Sequence, residues 1–391
     1  MLAFSRRWLR RGLIYVFMPV TIAFVVLVLA LRLWILPNLD QWRGDIASSI
    51  SQSAGQKVTL GPLTADWQGW HPRLRIQQLR VYGPDNRPAL LLNDVHTTLS
   101  WSSLLHGELR LASLTVDDLV LSIHRTHGGA LYVAGIALNQ QQNNSVFTDW
   151  LLKQRQIQIS HATMSWLDDQ RQAPLLVARE VNFTLSNRGN RHQFRLSAIP
   201  PALVAHPLSI KGDFRGNSLS QLAEWNGTLS VQVERTDLAQ WQPWVTLPLG
   251  ITRGFGNLDL QLQIAKKQVI AITANTSLHQ LSLQTGAELP RLNLVDLSGQ
   301  VQWKRLGAAQ SIDLHKVSLR TSNFLYVTPF DFYLRFAPAT SHTAATGDLR
   351  TDGLWLQSVA SLAAYIPLPA AQRNALNLHR PSGRLKQFSA H

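Results

Sequence analysis

From Leu13 to Leu31 the chain runs apolar without a single charge, and Arg6, Arg7, Arg10 and Arg11 stand immediately in front of that run. A helix rises about 1.5 Å per residue and a bilayer core is about 30 Å thick, so roughly 20 apolar residues span it. Cytoplasmic flanks keep the excess of Lys and Arg, and no Asp or Glu precedes Asp40. The sequence therefore predicts a basic cytoplasmic tail over residues 1–12, a transmembrane anchor over 13–36, and export of everything beyond it. A cleaved signal peptide needs a shorter apolar core followed by small residues. Here Leu29, Ala30, Leu31, Arg32, Leu33 and Trp34 close the run with bulky groups, so the anchor is expected to stay. Trp8 and Trp34 bracket it as an aromatic belt would, and Pro19 is expected to bend it, which membrane helices tolerate.

The remainder, about 350 residues, suffices for two or three ordinary domains or one elongated repetitive structure. Hydrophobic residues make up 45% and charged ones 15%, which excludes disorder and leaves an unusually uncharged surface. With 0 Cys, no disulfide or thiolate metal site exists. A net charge of +14 would ordinarily point to nucleic acid. The predicted topology keeps the bulk of the chain away from nucleic acid, and its Arg and Lys are scattered singly along strands. Anionic lipid headgroups beside the anchor are the partner that suits the excess better.

After the anchor, Asp40 is placed to cap a short helix carrying Trp42, Ile46 and Ile50, with Gly55 to end it. The apolar period then changes from 3.6 to 2. Strands are predicted over Lys57–Trp67, Arg73–Tyr82, Ala89–Trp101 and Leu109–Arg125, giving a first β module at 37–138 with its leading helix. NQQQNNS at Asn139–Ser145 is the linker candidate, followed by a helix over Val146–Gln154, so 139–154 reads as linker and helix. Strands resume at Gln156–Trp166, Leu175–Ser186, His192–Ile199, Leu208–Phe214 and Gly227–Arg235. Asp237 starts a short helical segment whose Leu238, Trp241 and Trp244 read as packing groups. Further strands follow at Leu258–Ile264, Ile270–Thr276, Leu292–Trp303, Ser311–Arg320 and Phe330–Phe336, and Gly353–Ile366 returns to helical spacing. Residues 155–391 thus form one continuing β region with little helix to cover it. A loose repetition runs through it: LNDVHTTLSW at 92, IQISHATMSW at 157 and LNLVDLSGQVQW at 292.

Chemical motifs are missing. The chain has no phosphate loop, HExxH, GxSxG or paired CxxC. His124 and His127 lie close together in SIHRTHGG, but a metal site needs a further ligand there. Asp117-Asp118 and Asp168-Asp169 are neighbours, and neighbours on a strand point to opposite faces, so they read as turn or bulge residues. The sequons at Asn182 and Asn226 carry no weight without a eukaryotic secretory host. Trp67, Trp101, Trp166 and Trp303 close predicted strands and read as plugs of the sheet edge or core. No catalytic residue, cofactor or metal ligand set is predicted.

The strongest alternation puts Leu258, Leu260, Leu262 and Ile264 on one side with Asp259, Gln261 and Gln263 between them, the pattern of an antiparallel strand with one apolar and one wet face. Leu229, Val231 and Val233 repeat it one strand earlier. Alternation alone does not separate an open groove from a closed sandwich.

The anchor, the following LDQWRGDIASSISQSAGQKVTLGPLTADWQGWHPRLRIQQLRVYG, the LLLNDVHTTLSWSSLLHGELRLASLTVDDLVLSIHR segment and ISHATMSWLDDQRQAPLLVAREVNFTLSNRGNRHQFRLSAIPPALVAHPLSIKGDF resemble the amino-terminal region of YhdP-like members of the AsmA/TamB-type envelope family. The resemblance runs from about Leu9 to the carboxyl end. It implies a mainly β fold, an elongated, curved antiparallel β-sheet groove behind an inner-membrane anchor. It also implies a periplasmic, non-catalytic role in carrying phospholipids between inner and outer membrane. On that reading Leu229, Val231, Val233, Leu258, Leu260, Leu262 and Ile264 are the candidates for the acyl-facing wall, and phospholipids, the inner membrane and other envelope proteins are the partners. A structural scaffold that recruits envelope proteins by strand addition is the alternative. YhdP-like proteins are far longer than this chain, so a truncated groove is expected.

Overall fold

A computed structural model describes residues 5–54, 57–69, 71–82, 88–101, 110–134, 136–137, 144–202, 204, 207–339 and 344–391. The chain divides into two compact units, Met1–Asp117 and Asp118–His391.

In the first unit, helix α1 (Ser5–Ala30) continues through Pro19 and widens into a π turn at Leu31–Ile35. Its window Met18–Ile35 is long and apolar enough to cross a membrane, and none of it is buried within the protein. Such a segment is satisfied as a helix because every interior N–H is bonded within it. Asp40 does not cap the next helix. It lies inside a 3-10 turn, Leu39–Trp42, that leads directly into α2 (Arg43–Ala54). Its carboxylate accepts from the Arg43 side chain at 3.0 Å and from the Leu63 backbone N–H at 3.1 Å, so it ties the helix entry to a strand instead. Gly55 lies outside the described residues.

The expected first strand is two, β1 (Val58–Thr59) and β2 (Leu63–Gln68), because the Gly61-Pro62 turn interrupts it. β3 (His71–Tyr82), β4 (Pro88–Leu99) and β5 (Leu111–Asp117) follow, with β2, β3, β4 and β5 paired antiparallel in that order. The strand predicted over Leu109–Arg125 is two: β5 stops at Asp117, Asp118 takes a left-handed φ of 54°, and pairing resumes at Val120.

The second unit opens with β6 (Val120–Arg125), which runs parallel to β9 (Gln156–Asp168), whereas the other described pairings in this unit are antiparallel. Between them lie β7 (Leu131–Val133), β8 (Ile136–Ala137) and the helix Asn144–Lys153. Most of the predicted linker, residues 139–143, lies outside the described residues. At the parallel seam the Arg125 guanidinium grips the fully buried Asp168. Asp168 is therefore the end of a strand and not a turn residue, and this hydrogen bond holds its carboxyl below the usual range.

From β9 the chain folds as a meander in which each strand pairs antiparallel with the next: β10 (Ala173–Arg188), β11 (Arg191–Ile199), β12 (Leu208–Arg215), β13 (Asn226–Asp237), β14 (Arg253–Ala265), β15 (Gln268–Leu283), β16 (Leu292–Leu306), β17 (Ala309–Thr321), β18 (Tyr326–Ala337) and β19 (Thr346–Asp352). The strands alternate apolar and polar along their length, which is why one sheet accommodates all of them. The three repeated segments at 92, 157 and 292 are each a stretch of one strand, β4, β9 and β16. Strand β19 and the helix Ala370–His379 carry no expectation above. The helical stretch predicted from Gly353 begins instead with strand β20 (Leu354–Trp355), pairs with β21 (Arg384–Leu385), and becomes helix at Leu356–Leu362. The last strand, β22 (Phe388–Ala390), pairs with β19.

A row of β-bulges bends this sheet. His161 in β9, Arg235 in β13 and Lys316 in β17 all take left-handed φ values of 43–52° next to register shifts, on every fourth strand. Each has its backbone N–H accepted by a side chain of the following strand: Asn182 at 3.2 Å, Asn257 at 2.9 Å and Asp331 at 2.8 Å. Bulges raise local twist and bend the strand that carries them. Gly256 and Gly299, at φ of 149° and 135°, complete the row.

Candidate functional site

The bend divides one face of the second unit into two parts. On the far side, Leu238, Leu278, Leu281, Leu283 and Leu294 are buried against one another, and Leu247, Ile251, Leu292, Leu297 and Leu319 pack around them. The short helix Leu238–Trp241 closes this end, with the Asp237 carboxylate accepting from the Ala239 N–H at 2.9 Å as its cap. Trp241 donates to Thr236 at 2.7 Å and Trp244 to the Pro174 carbonyl at 2.9 Å, so both are packing groups with their polar ends satisfied.

On the near side the seven residues singled out from the sequence meet. Leu229 stands opposite Leu262, Val231 opposite Leu260, Val233 opposite Leu258, and Ile264 opposite Gly227. Directly opposed residues of an antiparallel pair share a face, so all seven belong to one surface. The same registers extend it far beyond two strands. One row runs Phe183, Leu196, Ile210, Val231, Leu260, Ala274, Val301, Leu314, Phe332; the next runs Leu185, Phe194, Gly212, Leu229, Leu262, Ile272, Trp303, Ile312, Leu334, Leu349. At roughly 4.8 Å per strand, these apolar rows cross roughly 40 Å of sheet. Between them, facing the other way, lies a polar row that includes Arg195, Lys211, Ser230, Gln261, Thr273, Gln302 and Asp313.

The apolar rows are not covered. Val233, beside the bend, is buried, whereas Leu229, Val231, Leu258, Leu260, Leu262 and Ile264 are only partly so. Toward β18 exposure rises to 39% at Ile312 and 52% at Phe336. A second sheet packed about 10 Å above would take such positions to near-complete burial, so within this unit the face is an open one. Contiguous exposed apolar surface of this kind marks a binding surface in a soluble region. Glycine lets the aromatics lie flat on it. A Cβ at Gly212 would fall 2.2 Å from the Phe194 ring, which stacks on Phe214 at 6.2 Å with planes 3° apart. Trp303 sits on this face half-buried, between Ile272 and Ile312 with the Arg305 guanidinium 5.7 Å over its ring, and is part of the surface instead of a plug.

The polar face is knit by cross-strand ion pairs. Arg191 donates to Asp213 at 2.9 Å, and this bond, helped by Gln193, lowers the Asp213 carboxyl to about 2. His279 bonds Asp296 at 2.7 Å and, with Arg320, lowers that carboxyl as well. His124 contacts Asp169 at 2.6 Å and His127 approaches it at 3.8 Å; among the described residues no three such side chains are grouped to hold a metal ion.

At the amino-terminal helix, Arg6, Arg7, Trp8, Arg10 and Arg11 all fall within the backbone of α1, and Trp34 lies in the wide turn at its far end, 70% exposed. Sequence reasoning thus located one stretch of the surface and missed its breadth. Phe183, Phe194, Ile272, Val301, Ile312 and Phe332 carry the same alternation, but which alternating strands share a face is set by register.

A family model described as the YhdP protein matches residues 1–391. The chain belongs to the YhdP family. A similar curated protein is the intermembrane phospholipid transporter YhdP of Escherichia coli strain K12, 31% identical over 84 residues. That stretch covers 22% of this chain and 7% of the relative, so the chain matches a small part of the relative's length. No solved structure matches. YhdP-family membership agrees with the observed architecture: mainly β, one apolar amino-terminal helix, a long antiparallel sheet bent by bulges and a few short helices.

Proposed function

We propose that this YhdP-family chain carries phospholipids between inner and outer membrane, without catalysis, by laying their acyl chains on the open apolar face of β9–β19. The single observation that supports this is the pair of continuous, half-exposed apolar rows. Each acyl CH₂ removed from water gains about 0.8 kcal/mol, and a face repeating along a sheet offers equivalent sites with small steps between them. Helix α1 anchors the chain in the inner membrane, with the Arg6–Arg11 cluster holding the amino end in the cytoplasm and the sheet in the periplasm. The relative's role in intermembrane phospholipid transport agrees with this reading.

The test is a photo-crosslinking amino acid at Leu260 in the full chain, expressed in bacterial membranes. Phospholipid adducts are expected, and Leu229→Asp with Leu262→Asp is expected to abolish them while circular dichroism of the purified chain stays that of the parent. A parent chain that yields no lipid adduct, and copurifies with a stoichiometric protein instead, overturns the proposal in favour of a scaffold acting by strand addition.

A further inference from the structure

The two ends of the apolar rows are built differently. At one end the leucine cluster and the helix Leu238–Trp241 close the sheet, and charges of both signs mix there: Arg171, Arg253 and Arg291 stand among Asp169, Asp237 and Glu288. At the other end are the hairpin tips 188–191, 215–226, 265–268 and 306–309, and the cations gather there. Arg188, Arg191 and Arg215 occupy one register level on β10, β11 and β12, on the face opposite the apolar rows. Lys266 and Lys267 form the β14–β15 turn, both with left-handed φ, and Arg305 ends β16 over Trp303. All six are exposed. Among the described residues the acids at this end are few. Asp213 is committed to Arg191, Asp348 bonds His391 at 2.8 Å, Asp149 accepts from Ser218 at 2.8 Å, and Glu224 stands exposed.

From β9 to β12 this end is also plugged, by the helix Asn144–Lys153, where the Leu151 carbonyl and that of Gln154 just beyond the helix accept from Asn187, and by buried Trp225 stacked on His192 at 5.1 Å. From β13 onward it is open, with Phe336 52% exposed. The open stretch is where Lys266, Lys267 and Arg305 stand. An amphiphile on this face has its apolar tails barred from one end by packed leucines, and the other end presents positive charge.

We propose that Lys266, Lys267 and Arg305 are a rail for phospholipid phosphates, fixing the direction in which each lipid lies and selecting headgroups with net negative charge. This rests on the acyl-carrying reading above. Cations at a rim attract phosphate most strongly where low-dielectric surface adjoins them, and a lipid placed head-first toward the leucine cluster would lose that attraction. A rail of several cations, instead of one pocket, lets a headgroup pass from one to the next without full release.

The experiment uses the full chain with the crosslinker at Leu260 and two photoreactive lipid probes of equal acyl length in phosphatidylcholine vesicles: a phosphatidylglycerol and an uncharged diacylglycerol. Lys266→Glu/Lys267→Glu/Arg305→Glu should lower phosphatidylglycerol adducts at least fivefold and leave diacylglycerol adducts unchanged. The milder Lys266→Gln/Lys267→Gln/Arg305→Gln should give an intermediate loss, and Arg179→Glu/Arg253→Glu at the closed end should give none. Unchanged phosphatidylglycerol adducts in both rim variants overturn the rail while the acyl-carrying reading stands. Equal loss of both probes in both rim variants also overturns it, since headgroup charge is then irrelevant. Displacement of the phosphatidylglycerol probe by low-millimolar inorganic phosphate marks a free-anion site and likewise overturns it. Absence of any adduct in the parent chain brings down the acyl-carrying reading and the rail with it.

Discussion

Leu281 and Leu260 are the same residue type on neighbouring strands of one sheet, and the bend between their levels gives them opposite duties. Leu281 is 2% exposed within a cluster of leucines closed over by a helix; Leu260 is partly exposed in a row that nothing in its unit covers. Burial on the far side is completed by the protein itself. On the near side it is left for something else to complete. The difference teaches that an apolar alternation codes for a face, while the layer above decides whether that face serves stability or binding.

The sharpest way to break the comparison is to truncate both leucines. Leu281→Ala leaves a cavity in a packed cluster and should cost about 3 kcal/mol, within the usual span for buried Leu. Leu260→Ala removes groups already half in water and should cost under about 1 kcal/mol, because the transfer term shrinks with exposure and no enclosed void remains. Urea unfolding of the detergent-purified chain, followed by far-ultraviolet circular dichroism, measures both. Equal losses would mean that the near side is covered after all.

The bend itself comes next in size. Gly256 takes φ of 149°, and a Cβ there would lie 2.0 Å from the Ser277 carbonyl oxygen. Gly256→Ala should therefore cost about 2 kcal/mol from backbone strain and forced displacement. Asn257→Ala, which leaves the Arg235 N–H without its acceptor, should cost about 1 kcal/mol. If the bulge separates packed from open surface, both changes should also lower lipid crosslinking at Leu260, although neither residue is on the apolar rows. Loss of stability with crosslinking unchanged would dissociate the bend from the binding face.

Much of this was legible in the sequence. The apolar amino-terminal helix needs only length and hydropathy, and the shared apolar face of β13 and β14 follows from a period of 2. What escaped was whatever depends on cross-strand partners. Asn182, Asn257 and Asp331 hold the bulges at His161, Arg235 and Lys316 from 21, 22 and 15 residues away. As letters they are ordinary polar positions on a wet face, and Asn182 reads as a sequon. Asp40 escaped for a similar reason: a carboxylate before a helix looks like a cap, and its bond to Leu63 at a separation of 23 residues is invisible until the strand is placed. The Asp168 seam required knowing that β6 returns parallel to β9. Openness was never legible, because half-covered and fully covered faces alternate alike.

The smallest expected effect lies on the polar side of the same strands and asks whether the two faces are stabilised independently. Asp213 is lowered from an ordinary 3.8 to about 2, first by its hydrogen bond from Arg191. A carboxyl depressed in the folded state stabilises above its unfolded value and loses that contribution as pH falls through its folded one. The stabilisation should thus be complete above about pH 5 and should fade between about pH 4 and pH 2. The Arg191 and Asp213 side chains are 46% and 34% exposed, so solvent screening keeps the pair's worth well under about 1 kcal/mol. Asp213→Asn should flatten that part of the stability profile, measured by urea titration at stepped pH, by a few tenths of a kcal/mol. Lipid crosslinking at Leu260 above pH 5 should be the same in both chains, because the Asp213 side chain faces away from the apolar rows. A matching drop in crosslinking would show instead that the polar ladder sets the geometry of the face behind it.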